Sequence, residues 1–267
     1  MALLALPEPY DFAISTERFR VFGPDLANLA HDGALRRVVG GREVRIVAAS
    51  GGVDVDPLDD ETTRVVRKLL GAEYELEPFY AWAADQPVLG EIAQRLRGFR
   101  PPLLPDPFEA LVTSITAQQV SLRSALAMRN RLIEAYGVCG ELAYAFPTRA
   151  SVATATEDEL FALGFSRRKA EYVLGLARAE LDLDSLAALD DDEIRARLTA
   201  IRGLGPWTAE WFLARHLARP RAWPVGDLAL RKAATILYGL DVHELGHRLD
   251  PFQNLSAHYL LTGMRTP

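Results

Sequence analysis

The sequence predicts an α+β protein, with an N-terminal antiparallel β-sheet domain with helices over residues 1–100 and a mostly α-helical domain over 101–267. Three observations point there. Segments rich in β-formers at 18–22, 43–49 and 52–55 are punctuated by the glycine pairs Gly40-Gly41 and Gly51-Gly52, as strands joined by tight turns are. The stretch PPLLPDP at 101–107 then interrupts the chain, its two prolines marking a boundary. Beyond it, apolar residues recur at helical spacing almost to the end.

Taken in order, 62–70 and 88–96 carry helical periodicity inside the first domain. After the prolines Asp106 offers an N-cap, and Phe108, Leu111, Val112 and Ile115 start a long apolar face expected to continue through Val120, Leu122, Leu126 and Leu132. Shorter helices are expected at 157–163, 167–179, 191–199, 206–217, 228–238 and 254–261. They are too numerous for an appendage and too varied for a repeat array.

Composition narrows the function classes. Apolar residues are 49% and charged residues 25% of the 267, an ordinary soluble balance. No apolar run reaches the roughly 20 residues that cross a bilayer. The opening MALLALPEPYDF lacks both a basic start and a full hydrophobic signal core, so an intracellular, cytoplasmic protein is expected. Cys139 is the only cysteine, which excludes a disulfide framework, an iron–sulfur cluster or a four-cysteine zinc site within one chain. His243 and His247 stand at i,i+4 without an HExxH sequence and are read as surface or capping residues. No nucleotide-binding fingerprint is present.

A net charge of −6 argues against a broad clamp on a polyanion. Residues 201–232 nevertheless hold Arg202, Arg215, Arg219, Arg221, Arg231 and Lys232 against Glu210 and Asp227, while acids gather in the DDDE run at 190–193. A small phosphate footprint fits that distribution.

The stretch 198–232 concentrates the chemistry. Gly203 and Gly205 flank Leu204, a spacing that permits a sharp turn with open N–H groups. Pro206 suits the first turn of a helix whose positive end can face a phosphate. Trp207, Phe212, Leu213 and Leu217 repeat at helical spacing, with Glu210 and Arg215 expected toward solvent. A helix-hairpin-helix over about 192–218 results, with Asp227 at the mouth of the next helix. A plain helical hairpin shows the same glycines, and Asp227 can serve simply as an N-cap. At 167–169, Arg167, Arg168 and Lys169 read either as a solvated helix start or as a second phosphate contact.

In SITAQQVS at 114–121, LGFSRRKAEYV at 163–173, IRGLGPWTAEWF at 201–212 and VGDLALRK at 225–232, in that order after a β-rich start, the chain resembles the helix-hairpin-helix DNA glycosylases, and specifically the AlkA-type 3-methyladenine DNA glycosylase II family. The resemblance implies that Asp227 is the catalytic aspartate and that Gln119 stands where the family places its DNA-inserting wedge. It implies DNA or substrate contacts from Gln118, Ser121, Arg202, Gly203, Gly205, Trp207 and Thr208. The carbonyls of Thr199, Ile201 and Gly203 resemble those that hold a monovalent cation, Na⁺ or K⁺, beside a DNA phosphate; no other cofactor is implied. The expected partner is double-stranded DNA carrying damaged bases, bound by a monomer. The match departs near the end, where Leu261 aligns with an indole of some members and PFQNLSA at 251–257 carries Phe252 and Gln253 for Trp and Arg. Tyr259 is then a candidate aromatic for the pocket.

The implied reaction is monofunctional hydrolysis of the N-glycosidic bond of 3-methyladenine and 7-methylguanine, leaving an abasic site. One carboxylate suffices, because a base alkylated at N3 or N7 already carries the charge a general acid would supply, and aromatic faces favour such cations. Trp207, Trp211, Trp223 and Tyr259 are candidates for those faces. Trp207 stands where bifunctional relatives have a catalytic lysine, which disfavours a lyase; Lys232 is assigned to phosphate contact or helix-surface solvation. The alternatives are a glycosylase for deaminated or oxidised bases and a noncatalytic DNA-structure binding protein.

Overall fold

In the computed structural model, which describes residues 1–265, strands β1 (Ala2–Ala5), β2 (Leu29–His31), β3 (Ala34–Val39), β4 (Arg42–Ala49) and β5 (Gly52–Asp56) form one antiparallel sheet in the order β1-β5-β4-β3-β2. Alternation fixes its register: Leu35 faces Ile46, and Ile46 faces Val55, all three buried on one side. Gly40, Gly41 and Gly51 make the two hairpin turns with φ of 55, 76 and 77°. Helices α1 (Phe12–Ser15), α2 (Arg18–Val21) and α3 (Asp60–Leu69) cover the sheet. Segment 18–22, expected as β-structure, is thus helical through Val21. In this helical turn Phe19 enters the sheet core while Arg18 lines a cavity.

Helices α4 (Leu76–Ala83) and α5 (Pro87–Arg95) pack into a second core with the C-terminal elements, where Phe79 and Leu89 meet Leu245, Tyr259 and Leu260. The segment after them is buried. Leu103 belongs to that core and Leu104 to the third, the core of the central helices. The Leu104 N–H donates to the Arg215 carbonyl at 2.9 Å, and its own carbonyl lies 2.7 Å from His216 Nδ1.

The long apolar face is two helices, α6 (Pro107–Ala117) and α7 (Leu122–Tyr136), because Gln119 turns left-handed at φ 56° and Ser121 caps the second through the Ser124 N–H. A short hairpin, β6 (Val138–Cys139) with β7 (Tyr144–Ala145), follows. The Glu43 carboxylate on β4 accepts from Leu142 and Ala143 N–H at 2.7 and 2.8 Å, which docks the hairpin on the sheet. The remaining helices are α8 (Arg149–Ala153), α9 (Glu157–Ala162), α10 (Arg167–Arg178), α11 (Asp191–Thr199), α12 (Pro206–Arg215), α13 (Leu228–Ala233), α14 (Val242–Arg248) and α15 (Gln253–Gly263). Side chains at 156, 166, 190 and 241 cap α9, α10, α11 and α14.

A buried charge cluster joins sheet and helices. Glu109 on α6, fully buried, accepts from Arg37 of β3 and from Arg129 of α7, each at 2.5 Å. Arg37 also donates to Asn28 at 2.7 Å, and Arg129 to Asp25.

The turn between α11 and α12 depends on one glycine. Gly203 has φ 93°, and a Cβ there would fall 2.1 Å from Cγ of Tyr172, whose ring lies against it. Gly205 differs from expectation. At φ −87° and ψ −180° it is ordinary extended backbone before a proline, and a Cβ on it would meet open space.

Gly203→Ala is therefore predicted to destabilise the protein by about 2 kcal/mol or more, from left-handed strain plus overlap with Tyr172. Gly205→Ala should stay within about 0.5 kcal/mol of wild type. Urea unfolding of both variants checks the contrast; equal losses would refute it.

The second prediction concerns pH. Burial first, and then the Lys68 ammonium 3.4 Å from Nε2, push the His216 imidazole down to about 3, against the opposing Leu104 hydrogen bond. The unfolded chain takes up this proton near pH 6.5 and the folded chain only near 3, so the contribution is complete above 6.5 and falls with pH through that window. Between pH 6.5 and 5, unfolding free energy should decline by up to about 1.4 kcal/mol per pH unit for this imidazole. His216→Gln should flatten that slope in denaturant titrations at stepped pH.

Candidate DNA-binding and base-excision site

A cavity of about 1110 Å³ opens between α1–α2, the α6–α7 turn, the start of α12, the mouth of α13 and α15. Asp227, Trp207 and Gln119 all line it, so the three residues singled out from the sequence converge.

Asp227 is half-buried and caps α13. Its Oδ1 accepts from the Ala229 and Leu230 N–H groups at 2.8 and 3.1 Å, while Oδ2 accepts no hydrogen bond among the described residues. Capping and facing the cavity thus coexist. Gly226 precedes it because the Trp207 ring edge lies close, and a Cβ there would be 3.3 Å from Cδ1 of that indole. Trp207 tilts against Trp211 with ring centroids 6.5 Å apart. Both line the cavity. Trp223 does not; it is core, packed under Gly246 with Nε1–H donating to Val242 O at 2.9 Å.

Gln119 is exposed at the crest of the α6–α7 turn, flanked by exposed Val120 and Leu122. Gln118 also lines the cavity. Its amide Nε2 donates to Gly203 O at 3.0 Å and to Thr208 Oγ1 at 3.3 Å, fastening the wedge turn to the hairpin. Thr208, correspondingly, is buried. Lys169 is neither solvated nor free for phosphate. It is buried, with Nζ donating to the Thr116 carbonyl at 2.8 Å at the end of α6. Arg167 pairs with Asp158 and covers the Phe161 ring, and Arg168 is exposed.

Tyr259 is displaced from its expected place. It is fully buried in the C-terminal core and donates to Phe99 O at 2.8 Å, so it offers no face to the cavity. Phe252 packs there too, against Phe79 and Trp82. Leu261 does line the cavity.

Arg215 and Glu210 also turn inward, against expectation. Glu210 accepts from Arg195 at 2.6 Å and from Trp223 N–H at 2.8 Å, holding α11 and the 222–226 strap to α12. Arg215 reaches the cavity wall, where Nη1 lies 2.8 Å from His258 Nδ1. Burial, with Arg18 next, pushes the Arg215 guanidinium down to about 9. Burial and the same arginines hold His258 well below its ordinary value, so Nδ1 accepts from Arg215. Sequence reasoning missed Arg18, Arg215, Arg265 and His258 as cavity residues. The i,i+4 spacing of Trp207, Trp211 and Arg215 was a usable signal for one of them.

Elsewhere in the basic stretch, Arg231 and Lys232 are exposed without a salt bridge among the described residues, and the other three cations are neutralised. Arg202 pairs with Glu171 at 3.0 Å, Arg219 with Asp191 at 3.1 Å and Arg221 with Asp250 at 2.8 Å. At the hairpin, the Ile201 and Gly203 carbonyls each accept one hydrogen bond, from Leu204 N–H and from Gln118, and retain a second lone pair.

Residues 112–247 match the HhH-GPD superfamily of base excision DNA repair proteins. The chain is 30% identical over 190 residues to the DNA-3-methyladenine glycosylase of Bacillus subtilis, covering 68% of this chain and 63% of that protein. It is 29% identical over 262 residues to a probable bifunctional transcriptional activator/DNA repair enzyme AlkA of Mycobacterium tuberculosis, covering 88% of this chain and 51% of that protein. It therefore spans between half and two thirds of these relatives. The solved 3-methyladenine DNA-glycosylase from Archaeoglobus fulgidus superposes with a TM-score of 0.87 at 26% identity, over 100% of this chain and 99% of that one. The matched span runs from α6 through the hairpin and past Asp227: the chain belongs to the HhH-GPD superfamily of base excision DNA repair proteins and is similar to its AlkA-like 3-methyladenine glycosylases.

Proposed function

We propose that the protein is a monofunctional DNA glycosylase, hydrolysing the N-glycosidic bond of alkylated purines such as 3-methyladenine and 7-methylguanine in duplex DNA. The carrying observation is a carboxylate, Asp227, with one oxygen accepting no hydrogen bond among the described residues, on the wall of a cavity of about 1110 Å³ that the exposed Gln119 also lines. The names of the relatives support the substrate class.

A base inside a duplex is out of reach, so the nucleotide must turn outward at a cost of a few kcal/mol, less where pairing is damaged. Gln119 is long enough to fill the vacated stack and bond to the orphaned partner base. The N–H groups of Gly205 and Trp207, on either side of Pro206, take the flanking phosphate at the start of α12, where the positive helix end lies and Gly205 has no side chain to intervene. Main-chain oxygens at Thr199, Ile201 and Gly203 are hard donors suited to a monovalent cation. Such an ion would supply positive charge for the same phosphate.

With the base in the cavity, Asp227 stands beside the deoxyribose. As the C1′–N bond breaks, its electron pair neutralises the cationic base and positive charge grows on the sugar, which the carboxylate stabilises. Water then bonds to C1′ and releases a proton by way of Asp227. Trp207 and Trp211 supply the apolar and π surface of the cavity. No amine stands at position 207, so the product is an abasic site rather than a cleaved strand. The protein is proposed to act as a cytoplasmic monomer on double-stranded DNA.

Asp227→Asn keeps a competent helix cap and removes the charge. Single-turnover release of free base from duplex bearing 7-methylguanine should fall about 10²- to 10³-fold with thermal stability little changed. Equal rates for the two proteins would eliminate the assigned mechanism, and tight lesion binding with no release by wild type would favour the noncatalytic alternative.

A further inference from the structure

A small cavity of about 20 Å³ adjoins the large one. Trp211, Arg215, Asp227, His258 and Leu261 line both and so form the partition between them. The inner space is completed by Ala214, Pro224, Leu230, Asn254 and Ala257, all of them buried. Most of that lining is apolar. Apart from His258, whose Nδ1 is taken by Arg215, the polar groups are the Asp227 carboxylate, the Arg215 guanidinium and the Asn254 amide.

Asn254 is only 1% exposed. Its backbone N–H donates to Pro220 O at 2.9 Å, and its Nδ2 donates to Ala214 O at 3.2 Å. A carbonyl can only accept, so the amide nitrogen belongs on the Ala214 side and the group cannot be turned over. Oδ1 is then buried with no donor among the described residues. An unpaired buried carbonyl oxygen is costly, and native structures pair nearly all of them with protein or with water. Around the same cavity, Arg215 keeps N–H groups beyond the one given to His258, and Asp227 Oδ2 accepts no hydrogen bond among the described residues. The Asp227 charge stabilises that of Arg215, yet no salt bridge joins the two among the described residues. Polar groups that attract across such a gap are commonly bridged by water. One water needs roughly 10–15 Å³ of such space and about two to four polar partners. The cavity, at about 20 Å³ with an amide oxygen, a guanidinium and a carboxylate on its wall, meets both needs.

We infer that this cavity binds a single ordered water, which accepts from Arg215 and donates to Asn254 Oδ1 and to Asp227 Oδ2, and that Asn254 is thereby a positioning residue for the Asp227 carboxylate. The inference rests on the glycosylase reading above and deepens it. The count of donors and acceptors closes, because a water has two hydrogens to give and lone pairs to receive the guanidinium N–H. The site answers a need of the carboxylate. Oδ1 is anchored by the Ala229 and Leu230 N–H groups, but the O–C–O plane still turns about that anchor, since the terminal torsion of an aspartate is broad. A bond to Oδ2 from the inner side fixes the plane and leaves the other lone pair of Oδ2 for the deoxyribose. Asn254 lines the inner cavity alone, behind the partition, so it touches neither the base nor the DNA.

A crystal structure of the wild-type protein at a resolution that orders solvent should show one water within hydrogen-bond distance of Asn254 Oδ1, Arg215 and Asp227. No density at that point would overturn the inference, and this readout decides even if a variant does not fold. Kinetics test the role. In single-turnover release of 7-methylguanine from duplex DNA, Asn254→Leu matches the amide in size but removes its oxygen. Its rate at saturating enzyme should fall roughly tenfold to a hundredfold, the range that lost alignment gives, while the half-saturating concentration stays at the wild-type value. Asn254→Ser keeps a hydroxyl and makes room for a further water, so it should retain most of the rate. A packing role alone predicts the reverse order, leucine above serine, and that order would overturn the inference, as would a wild-type rate in folded Asn254→Leu. In an Asp227→Asn background, Asn254→Leu should cost nothing further; a loss as large as in wild type would refute action through the carboxylate. Wild-type release that Asp227→Asn leaves unchanged would instead bring down the glycosylase reading.

Discussion

The buried Glu109 carboxylate holds the two halves of the molecule in register. It sits on α6, takes guanidinium hydrogen bonds from Arg37 of the sheet and Arg129 of α7, and has no exposure of its own. Burial alone would push the neighbouring Asp25 carboxyl up, but Arg129 and Asn28 outweigh it and hold the acid in its charged form. Burial likewise weakens the Arg129 charge, and Asp25 and Glu109 more than restore it. Such a cluster adds little net stability compared with an apolar core, yet removing one member leaves the others uncompensated at a cost of about 3–5 kcal/mol. Its value lies in geometry. Hydrophobic packing alone would tolerate sliding of α6 over the sheet, whereas this set of directed bonds admits one position. That position sets where α6 ends, and so where Gln119 stands.

The far end of α6 is fixed by equally specific contacts. Lys169 from α10 binds the Thr116 carbonyl, and Gln118 binds both the Gly203 carbonyl and Thr208. Tyr172, one turn beyond Lys169, carries the hairpin glycine on its ring. Helix α10 therefore sets wedge and hairpin together, although no residue of it lines the cavity. In the proposed function Gln119 enters the duplex and the hairpin holds the flanking phosphate, so their separation has to match the spacing of a nucleotide turned outward. Rigid coupling through one helix maintains that spacing.

What could be read from sequence was what depends on neighbouring residues. The glycine turns of the sheet, the Asp106 cap, the hairpin and Asp227 all follow from local backbone chemistry, and each appears where its spacing placed it. Tyr259 failed for a physical reason: α15 buries residues on almost every face, so periodicity cannot say which side meets a cavity. The short β6–β7 hairpin was illegible because its order comes from Glu43, about a hundred residues earlier. Arg215 was placed in solvent since a charged residue ending an amphipathic helix usually lies there. Its true setting depends on Arg18 and His258, which arrive from opposite ends of the chain.

The charge distribution explains how an acidic chain can suit a DNA site. Arg202, Arg219 and Arg221 of the basic stretch are tied to Glu171, Asp191 and Asp250, so they add little long-range attraction. Arg18 and Arg215, which have no salt-bridge partner among the described residues, instead line the cavity that also holds Asp227. In the proposed reaction, positive charge growing on the sugar would meet the Asp227 carboxylate inside this cavity, so the electrostatics of bond breaking are set by the groups at the site and not by the net charge of the chain.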